Sequence, residues 1–291
     1  MSDPSPAPVG PGQGVPLASR PLHVSEMRLY QACPRKWSYA HVERRVPLER
    51  SLALSRGTEV HLWLAAWWAG HGGDVELPAD PVARACCVGY GAYYGWPPKG
   101  VWQTEVPFTA TVGGEAVAGT LDALSLDSDS LRRGVPPAVE IVEHKTTSAP
   151  IEPGSTYWRQ VVTCDPQVSM YLAAFPRATV VYDVIRKPAL RPLRAGKPNE
   201  ETEGEYVARM VSAMAEEPEK YFQRANVVRL EADHEAFARD VVDVRRLMRT
   251  GYVPRNTSSC FDFGRRCEYF GACFEGANLS GPDFRDQDEG R

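Results

Sequence analysis

The sequence predicts an α/β fold built on a mixed sheet. Three observations carry that reading: helical patterns precede a run of three strand patterns, a glycine pair marks a hairpin between the first two strands, and a further β-branched strand follows an intervening helix. The order helix, three strands, helix, strand places an antiparallel hairpin and a crossover in the same core.

Each element has its own local signal. Residues 1–21 are rich in Pro, Gly and Ser and have no apolar core, so they read as a disordered leader rather than a signal peptide. Ser25 is placed to cap a short helix through Ala32, which Pro34 stops or bends. A second helix is expected over 56–69, where Leu62, Leu64, Ala65, Ala66, Trp67 and Trp68 supply apolar surface before Gly70, Gly72 and Gly73 end it. A third is expected over 81–94. The pattern then alternates. Residues 101–112 read as a strand, Gly113-Gly114 as a hairpin turn, and 116–126 as the returning strand. A polar loop with Arg132, Arg133, Gly134, Pro136 and Pro137 leads to a third strand, 138–146. A helix over 165–175, a strand over 179–185, a loop with Pro188, Pro192, Gly196 and Pro198, and helices over 203–215 and 233–249 complete the reading. Residues 279–291 read as a flexible tail, charged from Asp283 onward, and no internal repeat is present.

Composition bounds the function. A chain of 291 residues holds one large domain or two small ones, and a single domain over 22–278 is expected. No run of about 18 apolar residues occurs, which excludes a membrane-spanning helix. The net charge of -4 argues against a protein that coats nucleic acid, but not against one that grips a few phosphates through a metal ion and a local basic patch. Seven cysteines, an odd number, in a chain without an export signal point to a reducing, cytoplasmic setting in which thiols serve as metal ligands.

Two segments carry chemistry. The first reads Gly119-Thr120-Leu121-Asp122-Ala123-Leu124, and the second Ile141-Val142-Glu143-His144-Lys145-Thr146-Thr147. Alternation along a strand points Glu143 and Lys145 to one face and Val142 and His144 to the other. Asp122 on the preceding strand can lie beside them. Two adjacent carboxylates repel when ionised, and a hard cation such as Mg²⁺ or Mn²⁺ relieves that repulsion. Such an ion activates a water for attack on a phosphodiester, with Lys145 stabilising the developing charge. The same residues on a strand can also form an ordinary solvated face.

Four elements in order resemble the RecB-like branch of the PD-(D/E)XK nuclease superfamily, which includes the AddB nuclease domain and the iron–sulfur nucleases of CRISPR adaptation. They are Gly57-Thr58-Glu59-Val60-His61, Gly119 to Leu124, Glu143-His144-Lys145, and Gln167-Val168-Ser169-Met170-Tyr171. The likeness extends over roughly 25–274. It implies a restriction-endonuclease-like core with a mixed sheet flanked by helices. It also implies a metal site of His61, Asp122 and Glu143, catalysis by Asp122, Glu143 and Lys145, and a role for Gln167 and Tyr171 in positioning lysine or substrate. Glu105 in Thr104-Glu105-Val106 is a secondary candidate. The proline that names the superfamily is absent before Asp122, where Thr120-Leu121 stand instead, and no helicase motif is present.

Near the C-terminus, Cys260, Cys267 and Cys273 form a trio that needs a fourth ligand for a tetrathiolate site, whether for Zn²⁺ or an iron–sulfur cluster. The resemblance supplies Cys33 as that ligand and implies a [4Fe–4S] cluster, with zinc as the alternative. Such a site would clasp helical N- and C-terminal segments around the core. It would also bring Arg35, Lys36, Arg44 and Arg45 towards Arg265 and Arg266, interleaved with Trp37, Tyr39, Tyr269 and Phe270, as a strand-binding surface. Cys86, Cys87 and Cys164 read as small hydrophobes.

The expected function is a Mg²⁺- or Mn²⁺-dependent deoxyribonuclease, an exonuclease on single strands or DNA ends in recombination, repair or phage DNA processing. A helicase or recombination partner is compatible with it. The alternative is a non-cutting nucleic-acid-binding subunit of a DNA-processing complex that keeps the fold and cluster. The intact acids and lysine count against that alternative.

Overall fold

The computed structural model describes residues 20–48, 52–71, 75–95, 102–126, 139–262 and 265–287. Most of the Pro/Gly-rich leader, Gly72 and Gly73, the polar loop with Arg132, Arg133, Gly134, Pro136 and Pro137, and the last four residues of the tail lie outside the described residues.

In chain order the structure begins with β1 (Leu22–His23), α1 (Val24–Ala32), α2 (Pro34–Trp37) and β2 (Arg45–Pro47). There follow α3 (Leu52–Ala66), α4 (Pro81–Tyr94), β3 (Trp102–Val112), β4 (Glu115–Leu126) and β5 (Val139–Thr147). Next come α5 (Thr156–Cys164), α6 (Pro166–Ala174), β6 (Ala178–Arg186), α7 (Glu203–Glu216) and β7 (Phe222–Val227). The chain closes with α8 (Glu231–Arg249), β8 (Phe261–Asp262), β9 (Arg265–Arg266), α9 (Phe270–Phe274) and β10 (Phe284–Asp286). Two compact units result: Ser51–Ala110 with Ala118–Ala238, and Met1–Arg50 with Thr111–Val117 and Arg239–Arg291.

The first of these units holds the sheet. Its strand order is β4-β5-β6-β7, with β3 also paired to β4. β4 and β5 are antiparallel, β5 and β6 parallel, and β6 and β7 antiparallel, so the sheet is mixed as expected. Helices cover both faces. On one, Val60 and Leu64 of α3 and Cys86 and Tyr90 of α4 pack on Val142 and Ile185. On the other, Val168, Tyr171 and Leu172 of α6 pack on Ile141, Val180 and Tyr182. Cover from both sides explains why β6 reads as a nearly continuous apolar run broken by Asp183, and why Ile141 to His144 of β5 are all buried.

Local signals set most boundaries. Asp80 caps α4 by accepting from the amides of Val82 and Ala83, with Pro81 in the first turn, and Thr202 and Glu205 form a capping box on α7. Gly113 and Gly114 both have positive φ (59° and 84°), the pairing a two-residue hairpin requires. Three expectations need correction. His23, not Ser25, occupies the cap of α1 and makes no side-chain cap bond, and Ser25 lies inside the helix. α3 starts at Leu52, ahead of the expected 56, and passes into a π turn at Trp67–His71. α5 and β7 are not among the expected elements: Thr156–Cys164 is amphipathic, with Tyr157, Trp158, Val161 and Val162 at helical spacing, whereas β7 reads Phe-Gln-Arg-Ala-Asn-Val without alternation. Tertiary pairing with β6 makes β7 a strand.

In the other unit, N-terminal and C-terminal segments are tied by bonds to backbone carbonyls. Tyr30 Oη donates to the Tyr252 carbonyl at 2.7 Å, Tyr269 Oη to that of Arg45 at 2.8 Å, and Asn256 Nδ2 and Ser259 Oγ both to that of Ala32 at 2.8 Å. β10 pairs with β2 and β8 with β9, both antiparallel. The buried carboxylate of Glu26 is held by Arg20 and by Trp37 Nε1, the latter at 2.9 Å. No helix among the described residues is long and apolar enough to cross a membrane.

Candidate active site and cysteine pocket

The acidic site forms where β4 and β5 part. Their ladder runs from Leu126↔Val139 to Ala123↔Val142. One residue beyond it, the Asp122 carboxylate accepts the His144 amide at 2.8 Å. A side chain thus takes the place of the missing backbone partner and leaves the β5 amide satisfied. Both motif glycines lie close to a neighbouring side chain. A Cβ on Gly119 would stand 2.7 Å from the Phe108 ring, and one on Gly57 would stand 3.2 Å from Thr146 Oγ1.

Glu143 and Lys145 share a face, as alternation demands, and Lys145 Nζ donates to Glu143 Oε1. The same ammonium donates to Gln167 Oε1 at 2.8 Å. Gln167 Nε2 donates to Tyr171 Oη at 2.7 Å, and Tyr171 Oη lies 2.8 Å from Glu143 Oε2 and 3.0 Å from the Thr120 carbonyl. Lys145, Gln167, Tyr171 and Glu143 therefore close a circuit. The amide orientation follows from chemistry: an ammonium only donates, so the Gln167 oxygen must face it.

His61 on α3 faces this group. Its Nδ1 lies 3.7 Å from Asp122 Oδ2, and its ring packs edge-on to His144 with centroids 6.4 Å apart. Burial and the neighbouring His144 push the His61 imidazole down to about 4, so at neutral pH it is uncharged and has a lone pair to offer. Burial lifts the Glu143 carboxyl to about 7, opposed by Lys145 and reinforced by Asp122. Asp122 is also raised, chiefly by burial. Burial alone would lower Lys145, but Glu143 and then Asp165 outweigh it and the ammonium is stabilised. Glu105 is exposed on β3 in a left-handed conformation (φ 52°), and its carboxyl is raised by burial with His144 and Glu143 as neighbours.

Two carboxylates in a shielded site and a neutral imidazole beside them are an oxygen-rich donor set suited to a hard divalent ion. Both Glu143 oxygens are engaged by Lys145 and Tyr171, and among the described residues no three His, Cys, Asp or Glu side chains stand as a ready-made cage. Ion binding at these residues would therefore draw Glu143 away from at least one of those partners.

Sequence reasoning overlooked Asp165. It caps α6 by accepting the Gln167 amide at 2.8 Å and is bonded by Tyr182 Oη. Its negative charge also supports the Lys145 ammonium. Asp165-Pro166 was legible as a helix start, because Asp favours the cap and Pro the first turn. Its electrostatic link to Lys145 had no sequence signal.

The four proposed thiol ligands come together. Cys33, Cys260, Cys267 and Cys273 line one pocket together with Lys36 and Arg255. All seven cysteines are free thiols, and Cys86 and Cys87 are buried among apolar side chains, as expected, whereas Cys164 is exposed. Burial raises the Cys273 thiol, and Cys33 and Cys260 add to the rise as neighbouring charges. Tyr39 Oη lies 3.8 Å from Cys273 Sγ. Four thiols around one pocket are the donor type a tetrathiolate ion or cluster takes, although they too do not stand as a ready-made cage.

Half of the expected aromatic part of the basic surface is not available, while Tyr39 and Phe270 are half-buried. Trp37 and Tyr269 are 1% and 2% exposed, packed into their own unit, so neither can stack on a base. Lys36 pairs with Glu268 at 2.8 Å and Arg266 with Glu275 at 3.0 Å, which neutralises two of the cations.

No known protein family matches the sequence, and no curated protein matches it. Among solved structures the chain is similar to one titled "Crystal structure of SSO0001", at 15% identity over 82% of this chain and 80% of that chain, with a TM-score of 0.37.

Proposed function

We propose that the chain is a metal-dependent deoxyribonuclease of the RecB-like PD-(D/E)XK type, acting as an exonuclease on single strands or DNA ends. The observation that carries the reading is the closed circuit of Lys145, Gln167, Tyr171 and Glu143 beside Asp122 and His61. Residues from four separate motifs would not converge in this way if each only packed its own element.

In this reading His61, Asp122 and Glu143 hold Mg²⁺ or Mn²⁺. When bound, the ion supplies a water of lowered pKa and a Lewis acid for the phosphate. The protein does the remaining work. Gln167 fixes the Lys145 ammonium, and Lys145 offsets charge that develops on the phosphate in the transition state. Tyr171 holds Glu143 in register with β5. Asp165 starts the helix that carries Gln167 and Tyr171 and adds negative potential behind Lys145. The cysteine pocket would hold a [4Fe–4S] cluster, or zinc, with a structural role first.

End-labelled single- and double-stranded DNA incubated with the anaerobically purified protein and Mn²⁺ or Mg²⁺ tests the reading, beside Lys145→Ala. Cleavage by the wild type and not by the variant is expected, and the label gives the polarity. DNA binding without cleavage by the wild type, at full cluster content, would overturn the assignment in favour of a non-cutting subunit.

A further inference from the structure

The buried polar group on the opposite face of the sheet is not used by the proposed chemistry. Asp183 lies directly across the β5–β6 ladder from His144 and is fully buried. Arg224, across the β6–β7 ladder, donates Nε to Asp183 Oδ1 at 2.9 Å and Nη2 to Oδ2 at 3.1 Å. Tyr90 Oη donates to Asp183 and accepts from Arg224 Nη2 at 2.6 Å. The guanidinium stacks over Tyr94 at 3.6 Å. Burial alone would raise the Asp183 carboxyl, but His144 and Arg224 overcome it and hold the group below its usual range, so it is ionised.

His144 connects this group to the site. Its ring is 2% exposed, with Nδ1 3.1 Å from Asp183 Oδ2, though neither ring nitrogen makes an aligned hydrogen bond. The ring sits between Trp68 and His61, with centroids 5.4 and 6.4 Å away. Its own amide holds Asp122 at 2.8 Å. One residue therefore touches two of the proposed metal ligands and lies between Glu143 and Lys145 in the chain.

We infer that His144, anchored from behind by Asp183, is a positioning residue that sets Asp122 and His61 for metal binding. The inference rests on the metal-site reading above. An apolar ring of similar size would fill the same space and satisfy packing. It would lose the attraction to the Asp183 carboxylate, which orients the ring and adds to the β5–β6 ladder in fixing β5 beyond the end of its ladder with β4. The energetic demand is real, because Asp183 is a fully buried charge, balanced by the half-buried Arg224, and that balance depends on every partner.

Three variants test this: His144→Phe keeps the ring and removes the nitrogens, His144→Asn places an N–H donor near the former Nδ1, and Tyr90→Phe loosens Asp183 from another side. Two readouts are used, Mn²⁺ affinity by calorimetry and solvent exchange of the residue 144 amide in metal-free protein. His144→Phe is expected to weaken Mn²⁺ by roughly 10- to 100-fold, the range for residues that orient metal ligands, and to speed that amide's exchange by about tenfold. His144→Asn should restore affinity to within about threefold of wild type, and Tyr90→Phe should shift both readouts in the same direction by about threefold. A folded His144→Phe with wild-type affinity and exchange overturns the inference. Should that variant not fold, a folded Tyr90→Phe with wild-type values does so. Asp122→Asn is the control for the metal site. If wild type binds no Mn²⁺ that this substitution removes, the metal-site reading fails, while amide exchange still reports on the Asp183–His144 anchor.

Discussion

Gln167 Oε1 accepts a 2.8 Å hydrogen bond from Lys145 Nζ, joining the helix α6 to the strand β5 at the proposed catalytic lysine. Asp165 fixes the start of that helix, so the amide is presented from a rigid first turn. The ammonium is thereby restrained in two directions, by a neutral oxygen and by Glu143.

Gln167→Leu should lower the single-turnover cleavage rate by roughly 10- to 100-fold, since misplacing a catalytic group by about 1 Å costs that much. The variant should fold and bind DNA as wild type does. Rapid-quench kinetics with saturating enzyme separates the chemical step from binding. An unchanged rate would mean that Glu143 alone positions the lysine.

The raised Glu143 carboxyl makes metal binding depend on pH. In the unfolded chain the group ionises near 4.5, and in the folded metal-free chain near 7. This group's contribution to stability is complete below pH 4.5 and is lost as pH rises to 7. Mn²⁺ must displace the proton over the same window, so its apparent affinity should rise about tenfold per pH unit and level off above pH 7. His61, lowered to about 4, stays neutral across most of that range. Thermal-shift titrations with Mn²⁺ from pH 5 to about 8 measure the slope, and Glu143→Gln should abolish it.

Gly119→Ala should destabilise the sheet unit by about 1–3 kcal/mol, because the new methyl would meet the Phe108 ring at 2.7 Å where that ring packs on the edge of the core. Phe108 packs edge-on to Tyr171, so the clash should also disturb the tyrosine that holds Glu143. Chemical denaturation measures the loss. Phe108→Leu in the same chain should recover part of it by opening space.

Removal of a cysteine ligand should act over long range. Cys33 and Cys260 are more than 200 positions apart, so a shared metal or cluster restrains the unfolded chain strongly. Cys33→Ser should lose the bound metal and lower the melting temperature. Elemental analysis of wild type distinguishes the occupants, with about four iron atoms per chain for [4Fe–4S] and about one zinc for the tetrathiolate alternative.

Much of the fold was legible because its signals are short-range. Gly113-Gly114 specifies a hairpin by its φ angles, Asp80-Pro81 starts a helix, and the alternation Glu143-His144-Lys145 puts the acid and lysine on one face. The cysteine set was partly legible from the clustering of the C-terminal trio. β7 was not, since Phe222–Val227 has neither a helical nor an alternating apolar pattern and is a strand through its pairing with β6. The expected role of Trp37 and Tyr269 in a nucleic-acid surface also failed, because an aromatic near a basic run gives no sign of which way its ring packs.

The sequence by itself determined which residue types were present for chemistry, which neighbours shared a strand face or a helix turn, and where chain-reversing glycines had to stand. Tertiary structure alone decided that Gln167 meets Lys145, that Asp122 replaces a ladder partner at the His144 amide, that Asp183 and Arg224 stand behind that histidine, and that Cys33 shares a pocket with the C-terminal thiols. Backbone sterics and side-chain periodicity act over a few residues and can be read locally. Burial, charge balance and hydrogen bonding across elements depend on which distant segments the collapsed chain brings into contact, and no local pattern encodes those distances.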